Sequence, residues 1–223
     1  TYNVKMTPVV VNHAPVISSI KNTAVAEDTS ISVPFIVADT ETASNNLVVT
    51  SHSSNPSLVP DHKVKISGTG GNRTLNITPL ANKNGTTNIK VKVADEQNLT
   101  ADRTFVLTVK SINDTPMISG TPETFLYEGY AYSFTPVVTD VDNLETFTFQ
   151  IENKPFWATF NTASGELAGT PGSGDAAITQ NIVISVTDSG GLSAALPSFT
   201  ITVHSMNTDE DNDGIRDIDE DLN

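Results

Sequence analysis

The sequence has no cysteine among its 223 residues and few basic side chains. Without cysteine, neither a disulfide framework nor a thiolate metal site can form. Lysine and arginine number 12 against 26 aspartates and glutamates, which gives a formal net charge of −14 at pH 7. Proteins that bind nucleic acid cluster cations against the phosphates, so this charge balance argues against a nucleic-acid partner.

Long apolar runs are missing as well, and aromatic residues make up only 6% of the chain. No stretch approaches the ~20 apolar residues that a membrane-spanning helix requires, which predicts no direct insertion into a membrane. The first residues also lack the charged and apolar regions of a signal peptide. We therefore expect the sequence to be an internal part of a longer protein.

Acidic residues are abundant at the C-terminus, where residues 209–223 read DEDNDGIRDIDEDLN. Carboxylates fall at loop positions one, three, five, nine and twelve, with Gly214 at position six. Such a loop can wrap around Ca²⁺, a hard cation that takes oxygen ligands at about 2.3–2.6 Å. An unstructured acidic tail is the alternative explanation of the same charge run. The predicted ligands, including one backbone carbonyl, are Asp209, Asp211, Asp213, Ile215, Asp217 and Glu220.

The chain also contains an internal repeat, because NHAPVIS at residues 12–18 is echoed by NDTPMIS at residues 113–119. The same offset carries Asp39 onto Asp140. The repeat predicts two domains of ordinary size. The predicted segments are 1–11, the end of a preceding module or linker; 12–111, the first domain; 112–206, the second domain; and 207–223, an acidic calcium loop of EF-hand type.

Hydrophobic residues alternate with polar ones inside each repeat. Ile89, Val91 and Val93 are separated by Lys90 and Lys92, as in a strand with one buried face. Glycine and asparagine clusters typical of turns separate such runs. Roughly seven short strands per ~95-residue repeat, without a long helix, predict an all-β fold of two tandem immunoglobulin-like β-sandwiches followed by the calcium-binding loop.

Short motifs in both repeats add a family resemblance. In the first repeat they are Asn12-x-x-Pro15, Glu27-Asp28, Asp39-x-Glu41, Asn84-Gly85 and Val93-Ala94-Asp95. With them residues 12–111 resemble the bacterial cadherin-like repeats of large secreted and surface proteins. In the second repeat they are Tyr127-Glu128-Gly129, Asp140-Val141-Asp142, the segment KPFW, the segment GELAGTP and Val186-Thr187-Asp188. With them residues 113–206 resemble the dystroglycan-type cadherin-like domain, and the tail is similar to a thrombospondin type 3 or dockerin-like calcium repeat.

In cadherins, calcium lies where one domain meets the next, and the resemblance implies the same role for matching positions here. A bound divalent ion would convert the repulsion between converging carboxylates into a stiff joint. The implied ligands are Glu27, Asn113, Asp114, Asp140, Asp142 and Asp188. A second, incomplete set comprises Asn12, Asp39, Glu41 and Asp95. The alternative is that the aspartates initiate turns and that Glu27 and Glu128 cap strand ends.

No motif assembles residues for catalysis. The four histidines lack the spacing of a zinc site, and no glycine-rich phosphate loop opens a helix. We therefore expect that the chain is not an enzyme. Trp157, the only tryptophan, follows Phe156, and exposed aromatic residues of this kind stack on sugars. The dystroglycan-like pattern implies instead that Trp157 packs into the sandwich.

These features predict a non-catalytic, calcium-binding spacer with a structural and adhesive role. We expect it to belong to a large extracellular or cell-surface protein of bacterial origin. Its expected partners are neighbouring domains of the same polypeptide, with homotypic contacts or a surface polysaccharide as open alternatives. The alternative function is a carbohydrate-binding accessory module of an extracellular polysaccharide-degrading enzyme, with Trp157 as the sugar contact.

Overall fold

The computed structural model describes residues 11–142 and 146–206. The chain divides into two compact domains, with the division between Ile112 and Asn113. The only helical element among the described residues is a short 3-10 turn, Asp61–Lys63. None of these residues belongs to a helix long and apolar enough to cross a membrane. The predicted all-β fold is therefore confirmed for the two domains.

The first domain is a sandwich of two four-stranded sheets. One sheet has the order β1-β3-β6-β5 and the other β2-β8-β7-β4, with β2 parallel to β8 and every other pair antiparallel. The strands are β1 (Val16–Ile17), β2 (Thr23–Ala26), β3 (Ile31–Ala38), β4 (Val48–Ser53), β5 (Val64–Ser67), β6 (Asn72–Ile77), β7 (Gly85–Ala94) and β8 (Thr100–Lys110).

Alternation along these strands builds the core of the first domain. In β7 the odd-numbered apolar residues are buried and the lysines between them are exposed, as the sequence pattern predicts. Val37 and Leu75 from one sheet and Val91 and Leu107 from the other are completely buried in one hydrophobic cluster. Burial of an aliphatic side chain of this size contributes about 1.5–3 kcal/mol to folding, so this inter-sheet layer stabilises the sandwich.

The second domain repeats this topology, but two short strands stand in place of β3 and two in place of β8. Its sheets are β9-β12, β11-β15-β14 and β10-β18-β16-β13, with β17 pairing the end of β16, and β10 runs parallel to β18. The strands are β9 (Met117–Ser119), β10 (Phe125–Tyr127), β11 (Tyr132–Phe134), β12 (Val137–Thr139), β13 (Thr148–Glu152), β14 (Ala158–Phe160), β15 (Leu167–Gly169), β16 (Ala177–Thr187), β17 (Ser193–Ala195) and β18 (Phe199–His204).

The core of the second domain is centred on β15, β16 and β18. Leu167, Ile182, Ile184 and Ile201 are completely buried in one cluster. Trp157 is half-buried and packs against this cluster, with its ring edge towards Tyr132 at a centroid distance of 5.8 Å. The single tryptophan therefore reports on the folding of the second domain.

Candidate cation sites

Each domain carries a group of acidic residues at one end of its sandwich, next to the ends of equivalent strands. In the first domain, Asp39 follows β3 and Asp95 follows β7, and Asn12 precedes β1, which pairs with the end of β3. We call Asn12, Asp39, Glu41 and Asp95 the first acidic set. The second acidic set is its counterpart in the second domain and comprises Asn113, Asp114, Asp140, Asp142 and Asp188.

Hydrogen bonds bring the first acidic set together. Asn12 Nδ2 donates to Asp95 Oδ2 at 2.7 Å, and the Glu41 N–H donates to Asp39 Oδ1 at 2.9 Å. The His13 N–H donates to Glu41 Oε2 at 3.2 Å, and His13 Nδ1 lies 2.8 Å from Glu41 Oε1. Three carboxylates are thus fixed at one end of the first sandwich.

The second acidic set repeats these hydrogen bonds at equivalent positions. Asn113 Nδ2 donates to Asp188 Oδ2 at 3.0 Å, and the Asp114 N–H donates to Asp142 Oδ2 at 2.7 Å. The Asp142 N–H donates to Asp140 Oδ1 at 2.9 Å. The structure therefore brings together five of the residues that the resemblance implies as calcium ligands.

Gly190 makes room for the second acidic set. A Cβ atom at this position would lie 2.0 Å from Asn113 Oδ1, so any side chain there would displace the amide that contacts Asp188. Gly190 in the turn after β16 therefore has a local steric reason. The absence of a side chain at Gly190 lets the Asn113 side chain reach the turn that follows β16.

Both sets contain buried oxygen atoms without a hydrogen-bond donor. Among the described residues, such atoms are Asn12 Oδ1 and Asp39 Oδ2 in the first set and Asp140 Oδ2 in the second. Asp39 and Asp140 are equivalent residues of the two domains. A buried acceptor left unsatisfied costs about 1–3 kcal/mol, and more when it is charged. The equivalent carboxylate oxygen of each domain can therefore accept a further hydrogen bond or bind a cation.

Asp188 stays ionised in this environment. Burial of its carboxyl group raises the pKa, but hydrogen bonds from the Leu192 N–H at 2.8 Å, from Asn113 and from the turn amides outweigh burial and hold the pKa below its ordinary value. The group is therefore a carboxylate at neutral pH. An oxygen-only group of carboxylates and amides fits Ca²⁺, which prefers hard ligands, better than it fits a soft transition metal.

Glu27 and Glu128 occupy the opposite ends of their sandwiches. Glu27 follows β2 and Glu128 follows β10. The Glu27 N–H donates to Lys110 O on β8, and the Glu128 N–H donates to His204 O on β18, both at 2.9 Å. Glu27 Oε1 accepts the Ile112 N–H at 2.9 Å. Glu128 Oε1 accepts the N–H groups of Gly174 and Ala176 at 2.7 and 3.1 Å. Both buried glutamates thus hold backbone at the end of a domain, as in the alternative explanation that they cap strand ends.

Residues 209–220 of the predicted calcium loop lie outside the described residues. Of the histidines, His13 contacts Glu41, His52 Nδ1 lies 2.8 Å from Asp61 Oδ2, and the His204 ring packs against Phe125. The sequence alone does not predict the contact between His204 and Phe125, although β10, β16 and β18 visibly lack charged residues.

Family models match both domains separately. Residues 12–108 match a model described as "Bacterial Ig domain", and residues 115–204 match one described as "Putative Ig domain". The chain is a tandem pair of immunoglobulin-like domains. Neither match extends into the acidic tail, and a search of curated proteins finds no match.

Solved structures with similar folds include cadherin fragments. The PcdhgB3 EC1-4 fragment is 19% identical with a TM-score of 0.57 over 88% of this chain and 51% of its own. Human mucin-like protocadherin EC1-2 is 14% identical with a TM-score of 0.52 over 86% of this chain and 98% of its own. Mouse cadherin-23 EC22-24 is 10% identical with a TM-score of 0.51 over 90% and 68%. At these identities the likeness shows a shared fold.

Proposed function

We propose that these tandem immunoglobulin-like domains form a non-catalytic spacer stiffened by calcium, in a large bacterial protein that is secreted or displayed at the cell surface. Tandem domains of this class fit a structural or adhesive role, since each sandwich is a compact unit that extends the chain. Calcium is abundant outside cells, which makes it a suitable structural ion there. Neighbouring domains of the same polypeptide are the proposed partners.

The observation that carries this proposal is the pair of buried oxygens, Asp39 Oδ2 and Asp140 Oδ2, each without a donor at the same position of its domain. A bound Ca²⁺ would supply the missing positive partner to both. It would also offset the repulsion among the neighbouring carboxylates of each set. The sequence-based prediction that Glu27 contributes to a calcium ion together with the second set stays a prediction.

Aspartate-to-asparagine variants test the two sets. Asp39→Asn and Asp140→Asn keep the oxygen that accepts the Glu41 or Asp142 N–H and replace the donor-free carboxylate oxygen with an amide. Calcium at 100 times its dissociation constant stabilises a one-site protein by about 2.7 kcal/mol. We expect calcium to raise the melting temperature of the unaltered chain relative to chelator, and each variant to lose its share of that increase.

The control is Glu152→Gln, which removes an exposed carboxylate on β13. It should keep the full calcium response. Equal calcium responses in Asp39→Asn, Asp140→Asn, Glu152→Gln and the unaltered chain would reject the cation sites and favour turn initiation as the role of the aspartates.

We also propose that the acidic tail forms a further calcium-binding loop. Its ligand spacing and Gly214 at the turn position support this proposal. Isothermal titration of the same proteins tests it independently. A double variant with Asp211→Asn and Asp213→Asn should bind one calcium ion fewer than the unaltered chain. An unchanged number of bound ions would favour an unstructured tail.

A further inference from the structure

The sheet β10-β18-β16 of the second domain presents an aromatic surface away from the core. Leu126 and Val203 point inward and are buried, so the alternating residues Phe125, Tyr127 and His204 lie on the opposite face. The Phe125 ring lies 4.5 Å from the His204 ring and 5.1 Å from the Tyr127 ring, measured between centroids. Phe125 is 46% exposed. We call these three residues the aromatic surface.

The first domain shows that the fold does not need these rings. Phe125 pairs with Thr202 and Tyr127 with His204, in the same register in which Ala24 pairs with Thr108 and Ala26 with Lys110. The first domain therefore carries two alanines and a lysine where the second carries three rings. Since both domains have the same sheet arrangement, packing within the sheet does not explain the rings.

The corresponding sheet faces of the two domains also differ in charge. The strands β10, β16 and β18 contain no aspartate, glutamate, lysine or arginine, although the chain has a net charge of −14. On the outer face of the corresponding strands of the first domain, Lys90 pairs with Asp102 at 2.7 Å, and the same face also carries Lys92 and Lys110. A solvated strand face normally carries such charges, which also prevent edge-to-edge association. In the second domain the outer face of β10, β16 and β18 lacks them, with Glu152 on the neighbouring β13, and it exposes Ile178 as well, at 62%.

We propose that the aromatic surface binds a neutral polysaccharide. Pyranose rings offer apolar C–H faces that pack on aromatic rings and hydroxyl groups that bond to uncharged polar side chains. The strands beside the rings supply such side chains, since Thr202 and Thr200 alternate with the buried Ile201 and lie on the outer face of β18. A polyanionic glycan would be repelled by the acidic chain, and a charged protein partner would find no complementary charge on these three strands.

This site is distinct from the one predicted around Trp157. That side chain packs against the core of the second domain, and Gly169 lets it lie there, since a Cβ atom at 169 would be 2.7 Å from Trp157 O. Phe156 is 72% exposed but lies in the turn before β14, apart from the aromatic surface in the sheet order. The proposal goes beyond the calcium-dependent spacer function and does not depend on it.

The test exchanges the aromatic surface for its counterpart in the first domain. A triple variant with Phe125→Ala, Tyr127→Ala and His204→Lys reproduces the residues found at Ala24, Ala26 and Lys110. Native electrophoresis through gels that contain galactomannan, hydroxyethylcellulose or dextran measures binding, with each protein compared with its own mobility in a plain gel. We expect at least one polysaccharide to retard the unaltered chain and the triple variant to bind at least tenfold more weakly.

Two controls make the result specific. Phe156→Ala removes an exposed ring elsewhere in the domain and should bind like the unaltered chain. Trp157 fluorescence and thermal melting show whether the triple variant folds, and Phe125→Ala alone is the milder replacement if it does not. Absence of retardation in all three gels would overturn the proposal. So would equal binding by the triple variant, or sedimentation showing that the surface instead joins two copies of the chain.

Discussion

Among single residues, the buried Tyr132 is expected to lower the stability of the second domain at alkaline pH. Burial, and secondarily the nearby Glu123 carboxylate, raise the pKa of its hydroxyl from 10.0 to about 12. The unfolded chain ionises this group near its ordinary pKa, whereas the folded chain keeps the proton. The free energy of unfolding of the second domain should therefore fall as pH rises from about 10 towards about 12, and Tyr132 should make no such contribution below that window.

Replacement of Tyr132 by phenylalanine tests this contribution. The variant loses the hydrogen bond from the hydroxyl to Glu123 O, at 3.2 Å, which is a constant cost of about 1 kcal/mol. Urea unfolding followed by Trp157 fluorescence gives the free energy of each protein. The advantage of the unaltered chain over Tyr132→Phe should shrink above about pH 10. A difference that stays constant between neutral and strongly alkaline pH would contradict the pKa shift.

Sequence reasoning identified acidic positions, but it could not establish their hydrogen-bonding state. The repeat placed Asp39 and Asp140 at equivalent positions, because the offset between the two sequences is visible without coordinates. Whether a carboxylate oxygen finds a donor depends on backbone placement in three dimensions. That Asp39 Oδ2 and Asp140 Oδ2 find none, whereas both oxygens of Asp188 accept hydrogen bonds, emerges only from the structure.

At the scale of elements, the hairpin between β5 and β6 depends on a glycine. Gly68 has φ of +100°, and a Cβ atom there would lie 2.4 Å from Asn72 O. We expect Gly68→Ala to lower the free energy of unfolding by roughly 1–3 kcal/mol, because strain and a backbone clash add. Gly70 is the matched control, since it also has a positive φ, +61°, but no atom lies within 4 Å of its Cβ position. Urea unfolding followed by circular dichroism should show the smaller loss for Gly70→Ala, and the reverse order would refute the steric account.

The long strands could be predicted from alternation and the short ones could not. β7, β8, β16 and β18 have buried apolar residues at every second position, which is a strong local signal. The opening strand of each domain divides between two sheets, as β1 and β2 do, and such a change of partner leaves little trace in a local pattern. Pro136 lies between β11 and β12, where its missing N–H interrupts the ladder.

At the scale of the whole molecule, two domains of one topology differ in what their surfaces offer. The acidic sets recur in both, so the proposed cation sites are a property of the repeat. The aromatic surface exists only in the second domain, where Phe125 stands in place of Ala24. The sequence alone does not predict this surface, because its rings come from strands far apart in the chain and meet only through the parallel pairing of β10 with β18.

The most direct measurement of the central claim is a crystal structure of this chain grown in calcium chloride. We expect one ion coordinated by Asp39 Oδ2 and another coordinated by Asp140 Oδ2, with metal–oxygen distances of about 2.3–2.6 Å. A water molecule or a protein N–H at hydrogen-bonding distance from both oxygens, with no ion in either acidic set, would contradict it.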